Sequence, residues 1–324
     1  MEIAIMIEGQ NGLTWPRWQK IAAAVEDLGF VGLYRSDHFT NPDAPDKESL
    51  ECWTSLTWLA SHTRRIEFGP LVSPVSFRPP AMLTRMAASV DDLSGGRLIL
   101  GLGAGWQERE HHKFGLDLLD MKSRFARLEE GLEVVTRLLK SEQPASFEGS
   151  YYQLREASLL PRPQRPGGPH ILIGGNGEKR TLRLAARYVD EWNAVFQTPA
   201  GFTHLSARLD EWLKEAGRMP ETMRRSLMTG IRFAQTRTGL EAKMHGHTIA
   251  DLRGRGLIVG VGDEIQPQLV ELDQAGVQRV MLQWMDLDDL DGLEALRQAA
   301  GRSGRNNAPA QPPGRFIKSD ADER

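Results

Sequence analysis

The chain has 324 residues, of which 40% are hydrophobic and 26% charged, the ordinary balance of a globular protein. A net charge of −3 gives no electrostatic reason to expect nucleic acid or an anionic membrane as partner. A single cysteine, Cys52, excludes an intrachain disulfide, and no run approaches the roughly 20 apolar residues of a membrane span.

The first apolar run, Ile3 to Ile7, predicts a strand buried on both faces. It is too short, and too closely preceded by Glu2, for a signal peptide, so a cytoplasmic protein is expected. Thr14 before Trp15-Pro16 marks a helix start. Trp18, Ile21, Ala22, Val25 and Leu28 follow at helical spacing and Gly29 ends the run. Phe30 to Leu33 is again apolar and leads into Tyr34-Arg35-Ser36-Asp37-His38, which completes a β-α-β unit with a parallel crossover. A helix around Trp53 to Ser61, a strand at Ile66 to Val72 and a helix through Leu83, Ala87 and Val90 come next.

The stretch R-L-I-L-G-L-G-A-G-W, Arg97 to Trp106, is a short strand whose carboxyl end carries Gly101, Gly103 and Gly105 at alternate positions. Without Cβ atoms, such an end lets a flat ligand or a phosphate approach bare backbone, but it equally fits a loose strand end and a turn. A polar stretch, Gln107 to His112, precedes a long helix with Phe125, Leu128, Leu132, Val135 and Leu139 on one stripe. Residues 141–168 break the rhythm with Pro144, Gly149 and a P-R-P-Q-R-P-G-G run, and predict a short hairpin or extended arm.

Alternation resumes with strands at His170 to Ile173, Trp192 to Phe196, Ser226 to Ala234 and Val277 to Trp284. The helices between and after them contain Leu182 to Ala186, Phe202 to Leu213, Ile265 to Ala275 and Leu290 to Leu296. Residues 236–262 are irregular, and 301–324 are predicted to be a disordered C-terminal tail. About eight strands alternating with about eight helices predict a single (β/α)8 TIM barrel over 1–300, with 141–168 and 236–262 as insertion or irregular regions.

A barrel carries its chemistry at the carboxyl ends of its strands, where the sequence places Glu8, Gln10, Asp37, His38, Ser73, Ser76, Trp106, Trp192-Asn193 and Gln283-Trp284. His38, beside Asp37, has a side chain that can give or take a proton near neutrality, although a loop histidine bonded to its neighbour would look the same. The tryptophans could wall a flat ring or fill the core. His111-His112 and His245/His247 lack H-E-x-x-H spacing or a cysteine cluster, so no metal site is expected. Gly174-Gly175-Asn176-Gly177 lies between a strand and a helix, with Lys179 and Arg180 following. Free N–H groups and the helix dipole favour a phosphate there, and two cations in a first turn oppose the dipole unless an anion lies between them. The spacing is not that of a Rossmann loop.

S-D-H at 36–38, F-G-P-L-V-S-P-V-S-F-R-P-P at 68–80 and D-D-L-S-G-G-R-L-I-L-G-L-G-A-G-W at 91–106 resemble the luciferase-like monooxygenase superfamily. The segment I-L-I-G-G-N-G-E-K-R-T-L-R-L-A-A-R-Y-V-D-E-W-N at 171–193 resembles its branch of probable coenzyme F420-dependent oxidoreductases. The resemblance implies a (β/α)8 luciferase-like barrel with a deazaflavin ring at the carboxyl end of the strands. It implies a non-prolyl cis peptide at Leu71 and Val72 behind that ring, with Asp37 and His38 flanking it. Gly105, Trp106, Gly174, Gly175, Asn176 and Gly177 would hold the cofactor's chain and phosphate. Where sugar-phosphate dehydrogenases of the superfamily keep a glutamate proton donor this chain has Trp106, which shifts the acid/base role to His38.

The implied activity is hydride transfer between bound coenzyme F420 and a small organic substrate, with His38 and Asp37 as catalytic residues. The same fold allows an FMN-dependent monooxygenase using reduced flavin and O2 with a partner reductase, and a catalytically silent barrel that binds flavin or another ligand. A homodimer is common among such relatives. On this reading the substrate would be set by 141–168 and 236–262.

Overall fold

The computed structural model describes residues 1–301. In chain order the elements are β1 (Glu2–Ile7), α1 (Trp15–Asp27), β2 (Gly32–Arg35), α2 (Cys52–His62), β3 (Glu67–Pro70), β4 (Ser73–Pro74), α3 (Pro80–Ser94), β5 (Ile99–Gly103), α4 (Glu108–Lys113) and α5 (Met121–Lys140). There follow β6 (Ala145–Glu148), β7 (Gln153–Ala157), β8 (His170–Gly174), α6 (Thr181–Tyr188), β9 (Glu191–Val195), α7 (Pro199–Glu215) and β10 (Arg224–Ala234). The chain continues through α8 (Arg237–Lys243), α9 (Ile249–Gly254), β11 (Ile258–Val261), α10 (Ile265–Gln274), β12 (Arg279–Gln283) and α11 (Leu290–Ala299).

Parallel strands run in the order β3-β2-β1-β12-β10-β9-β8-β5-β4. β3 and β4 are halves of one stave, separated at Leu71-Val72, whose peptide bond is cis. The stave meets β5 twice: Phe68 bridges Leu98, and Ser73-Pro74 pairs with Leu102-Gly103. The ring of eight staves is thereby nearly closed, as the alternation of strands and helices predicts.

Two-residue periodicity sorts each stave. On β1, Ala4 and Met6 face the barrel interior with Tyr34, Ile99, Leu172 and Met281. Ile3, Ile5 and Ile7 face outward and pack under helices with Trp18, Ile21 and Val25 of α1. Each such outward aliphatic side chain contributes roughly 1.5–3 kcal/mol on burial. Thr14 stands at the N-cap of α1 with extended backbone, but its side chain makes no capping bond; Pro16 in the first turn supports the start instead.

Three segments differ from, or refine, the sequence reading. The polar stretch after β5 is helical over Glu108–Lys113, which form α4, and Glu110 and His111 are buried. Residues 141–168 contain the antiparallel hairpin β6-β7, whose Ala145, Phe147 and Leu154 pack on Val134 and Leu138 of α5. Its polar end is tied down by Glu130, which accepts from the backbone N–H groups of Ser150, Tyr151 and Tyr152. The proline-rich run is held by an ion pair from Arg165 to buried Asp91 at 2.7 Å. Residues 236–262 are also ordered, as α8, α9 and a further strand, β11, that pairs with the second half of β10.

Among the described residues no helix is long and apolar enough to cross a membrane. The expected disordered tail lies outside the described residues, apart from Gly301.

Candidate active site

A cavity of about 1050 Å³ opens at the carboxyl ends of the staves. Its deepest surface is apolar, from Met6, Leu71, Val72 and Met228. The glycines of β5 are required by this floor. A Cβ at Gly101 would collide with the carbonyl oxygen of Pro70, and one at Gly103 would lie 2.5 Å from Val72 Cγ2. The alternate glycines therefore let the interrupted third stave press into β5, and it is Val72, pushed across by that contact, that forms the surface a ligand meets. Gly103 and Gly105 also border the cavity.

On one side lie Gly174 to Gly177 with Lys179, Arg180 and, from α5, Arg124. Asn176 does not point its amide at the cavity's centre; it exchanges two hydrogen bonds with the backbone of Val195, at 2.7 and 2.9 Å, and so pins the loop to β9. None of Arg124, Lys179 and Arg180 is ion-paired with a carboxylate among the described residues. Arg180 lies over the ring of Phe125, at 5.5 Å, and Arg124 donates to the Gly105 carbonyl at 3.1 Å while its Nε is buried without a partner. Three cations without an ion-pair partner among the described residues, beside a glycine loop and the start of α6, make this wall electropositive.

The opposite side, from β1, β2 and β12, is a relay of neutral groups around one acid. Gln283 and Gln10 donate to the two oxygens of Glu8 at 2.6 and 2.8 Å, and Ser36 Oγ donates to Gln10 at 2.6 Å. Asn193 lines the same cavity with its Oδ1 buried and unpartnered. Trp106, Phe196 and Met285 form the partly exposed rim.

His38 lies between the two sides. Its Nδ1 is 2.7 Å from Glu110 Oε1, and the ring edge meets Trp106 at 5.6 Å and 83°. Burial disfavours the imidazolium, but the hydrogen bond and charge of Glu110 outweigh it and hold the His38 pKa above its ordinary value. Glu110, fully buried, also accepts from the Phe39 N–H at 3.0 Å. Sequence reasoning missed Glu110 because it sits in a polar run with no apolar period to signal burial. It missed Arg124 because the residue occupies the polar stripe of an amphipathic helix.

Asp37 is placed differently from His38. It is buried, accepts from Ser73 Oγ and Arg78 Nη1, each at 2.6 Å, and does not line the cavity. Of the three tryptophans considered as ring walls, only Trp106 reaches the cavity. Trp192 is a core filler stacked 5.4 Å from Phe202, and Trp284 is buried beside Lys243. Cys52 is buried, and burial pushes its thiol well above the usual range, in keeping with a small core residue. Neither 141–168 nor 236–262, the segments expected to set the substrate, lines the cavity. Among the described residues no group of three or more His, Cys, Asp or Glu side chains is arranged to hold a metal.

The profile of the luciferase-like monooxygenase family matches residues 1–301, and the chain belongs to this family of enzymes. An F420-dependent glucose-6-phosphate dehydrogenase of Kineococcus radiotolerans is 32% identical over 48% of this chain and 46% of its own. The pyrimidine monooxygenase RutA of Cronobacter turicensis is 31% identical over 52% of this chain and 45% of its own. These matched stretches span about half the length of the curated relatives. Among solved structures, an F420-dependent secondary alcohol dehydrogenase in complex with an F420-acetone adduct superposes with a TM-score of 0.80 at 18% identity, covering 92% of this chain and 97% of that one. That likeness is one of fold.

Proposed function

We propose that the protein is a coenzyme F420-dependent oxidoreductase acting on a small organic substrate. The observation that carries the reading is the two-sided cavity: an apolar floor at Leu71-Val72, three uncompensated cations with the 174–177 loop on one side, and His38 on the floor's far edge. A flat ring with an anionic side chain matches that donor set, and the orphaned Asn193 Oδ1 suits a ring N–H. When bound, the deazaflavin supplies the hydride chemistry at C5; the protein's share is orientation and electrostatics.

In this reading Lys179, Arg180, Arg124 and the 174–177 loop hold the anionic chain, while Leu71 and Val72 support one ring face. Gly105 and Trp106 border the ring's outer edge. His38 holds or moves a proton at the substrate, and Asp37, turned away to Ser73 and Arg78, keeps the loop after β2 in place. The substrate side carries Glu8 and no cation, which disfavours a phosphorylated substrate. Trp106 in place of an acid supports the same distinction.

The 31% identical monooxygenase favours one further reading, reduced FMN in the same cavity with O2 as co-substrate and a reductase as partner. Fluorescence-quenching titration with coenzyme F420 and with FMN distinguishes the two. Sub-micromolar binding of F420 is expected; binding of FMN alone would transfer the assignment to the monooxygenase, and binding of neither would overturn both.

A further inference from the structure

We propose that Glu110 is a positioning residue that keeps a proton on Nδ1 of His38 and leaves Nε2 as the atom that exchanges a proton with the substrate. This rests on the reading of the cavity as a redox site, in which His38 is the proton-handling group.

Glu110 is isolated from every charged group but one among the described residues. The side chain is 0% exposed, and among the described residues its two oxygens meet only His38 Nδ1, at 2.7 Å, and the Phe39 N–H, at 3.0 Å. No lysine or arginine is within ion-pairing distance among the described residues, so the single group able to balance a charge on Glu110 is the imidazole. A buried carboxylate left with one backbone N–H is strongly disfavoured, and pairing with a protonated ring removes most of that penalty.

Geometry then settles which nitrogen does what. A carboxylate oxygen accepts, so Nδ1 must donate. Nε2 has no hydrogen-bond partner among the described residues, and the ring lines the cavity. The other charged groups facing His38 are Glu8 at the end of β1 and Asp37 next in the chain, the latter already neutralised by Arg78. All are acids, and all favour the protonated ring. When Nε2 gives up its proton, the ring stays neutral with Nδ1–H on Glu110, and the proton is restored from solvent at the cavity mouth.

Solution NMR of the full chain carrying 15N-labelled histidine tests this, with the His38 signals assigned by their loss in His38→Gln. In the unmodified protein the neutral ring is expected as the Nδ1–H tautomer. In Glu110→Gln the His38 midpoint is expected to fall by about one pH unit or more, with Glu110→Asp recovering part of the shift. A neutral ring protonated on Nε2, or an unchanged midpoint in a Glu110→Gln protein with native circular dichroism, would overturn the proposal. Should Glu110→Gln fail to fold, the tautomer of the unmodified protein decides alone. Failure of both cofactors to bind would remove the redox reading and leave the tautomer result standing, so the two failures are separable.

Discussion

At the scale of single residues, His38 is the most exposed to test. On the proposed reading, His38→Ala removes the proton-handling group but none of the cations assigned to the anionic chain. Turnover is expected to fall by about 10²–10⁴-fold, with cofactor quenching unchanged. Unaltered turnover on every accepted substrate would remove His38 from the mechanism. The same residue imposes a pH dependence. Because its folded pKa is raised, the stability from the Glu110 pair is fully present below the unfolded value of about 6.5 and is lost as pH rises through the folded pKa. Thermal midpoints measured across that window should decline for the unmodified protein and stay flatter for Glu110→Gln.

At the scale of elements, the third stave and β5 act as one unit. Gly103→Ala puts a Cβ 2.5 Å from Val72 Cγ2, and the neighbouring stave cannot retreat without disturbing its pairing to β2. A loss of about 1–3 kcal/mol is expected by denaturant unfolding, together with weaker cofactor binding because Val72 is part of the floor. The loop before α6 makes a contrasting prediction. Lys179→Ala combined with Arg180→Ala leaves the backbone trace intact and should lower cofactor affinity by roughly 10–100-fold with a shallower salt dependence. Equal affinity and equal salt slope would show that the anionic chain lies elsewhere.

At the scale of the whole molecule, the two ends of the barrel divide the work. The carboxyl end carries Arg124, Lys179 and Arg180 with no ion-pair partner among the described residues. The amino end is closed by a charge network in which buried Arg279 meets Glu2 at 3.0 Å, Glu191 at 3.6 Å, the Tyr34 hydroxyl at 2.5 Å and Glu67. These residues belong to five different staves, four of them at the first position, so the network ties the ring together at its amino end. Arg279→Ala leaves buried Glu191 with only the longer contact to Arg224, at 4.0 Å, and is expected to cost about 3–5 kcal/mol, read as a drop in thermal midpoint with the cavity's ligand preference unchanged. Burial works against the charged form of Glu67, but Arg279 and Arg224 hold its pKa below the ordinary value. Its contribution is therefore present above the unfolded pKa of about 4.3 and is lost as pH falls through the depressed folded value.

The order and type of the staves and helices were legible in the chain because local periodicity records burial directly. Ile3, Ile5 and Ile7 declare a strand, and Leu128, Leu132, Val135 and Leu139 a helix, wherever the chain goes next. The 174–177 loop with Lys179 and Arg180 was legible too, since its mismatch with the α6 dipole is written in consecutive residues. What tertiary structure alone decided is which polar residues share a cavity. Glu110 and His38 are 72 positions apart, Glu8 and Gln283 are 275 apart, and Asp37, adjacent to His38 in the chain, points the other way. The glycines of β5 make the same point most compactly. Their alternation signals a close approach, but only the fold shows that the approaching group is first Val72 of the neighbouring stave, and that the ligand surface lies one side chain further in.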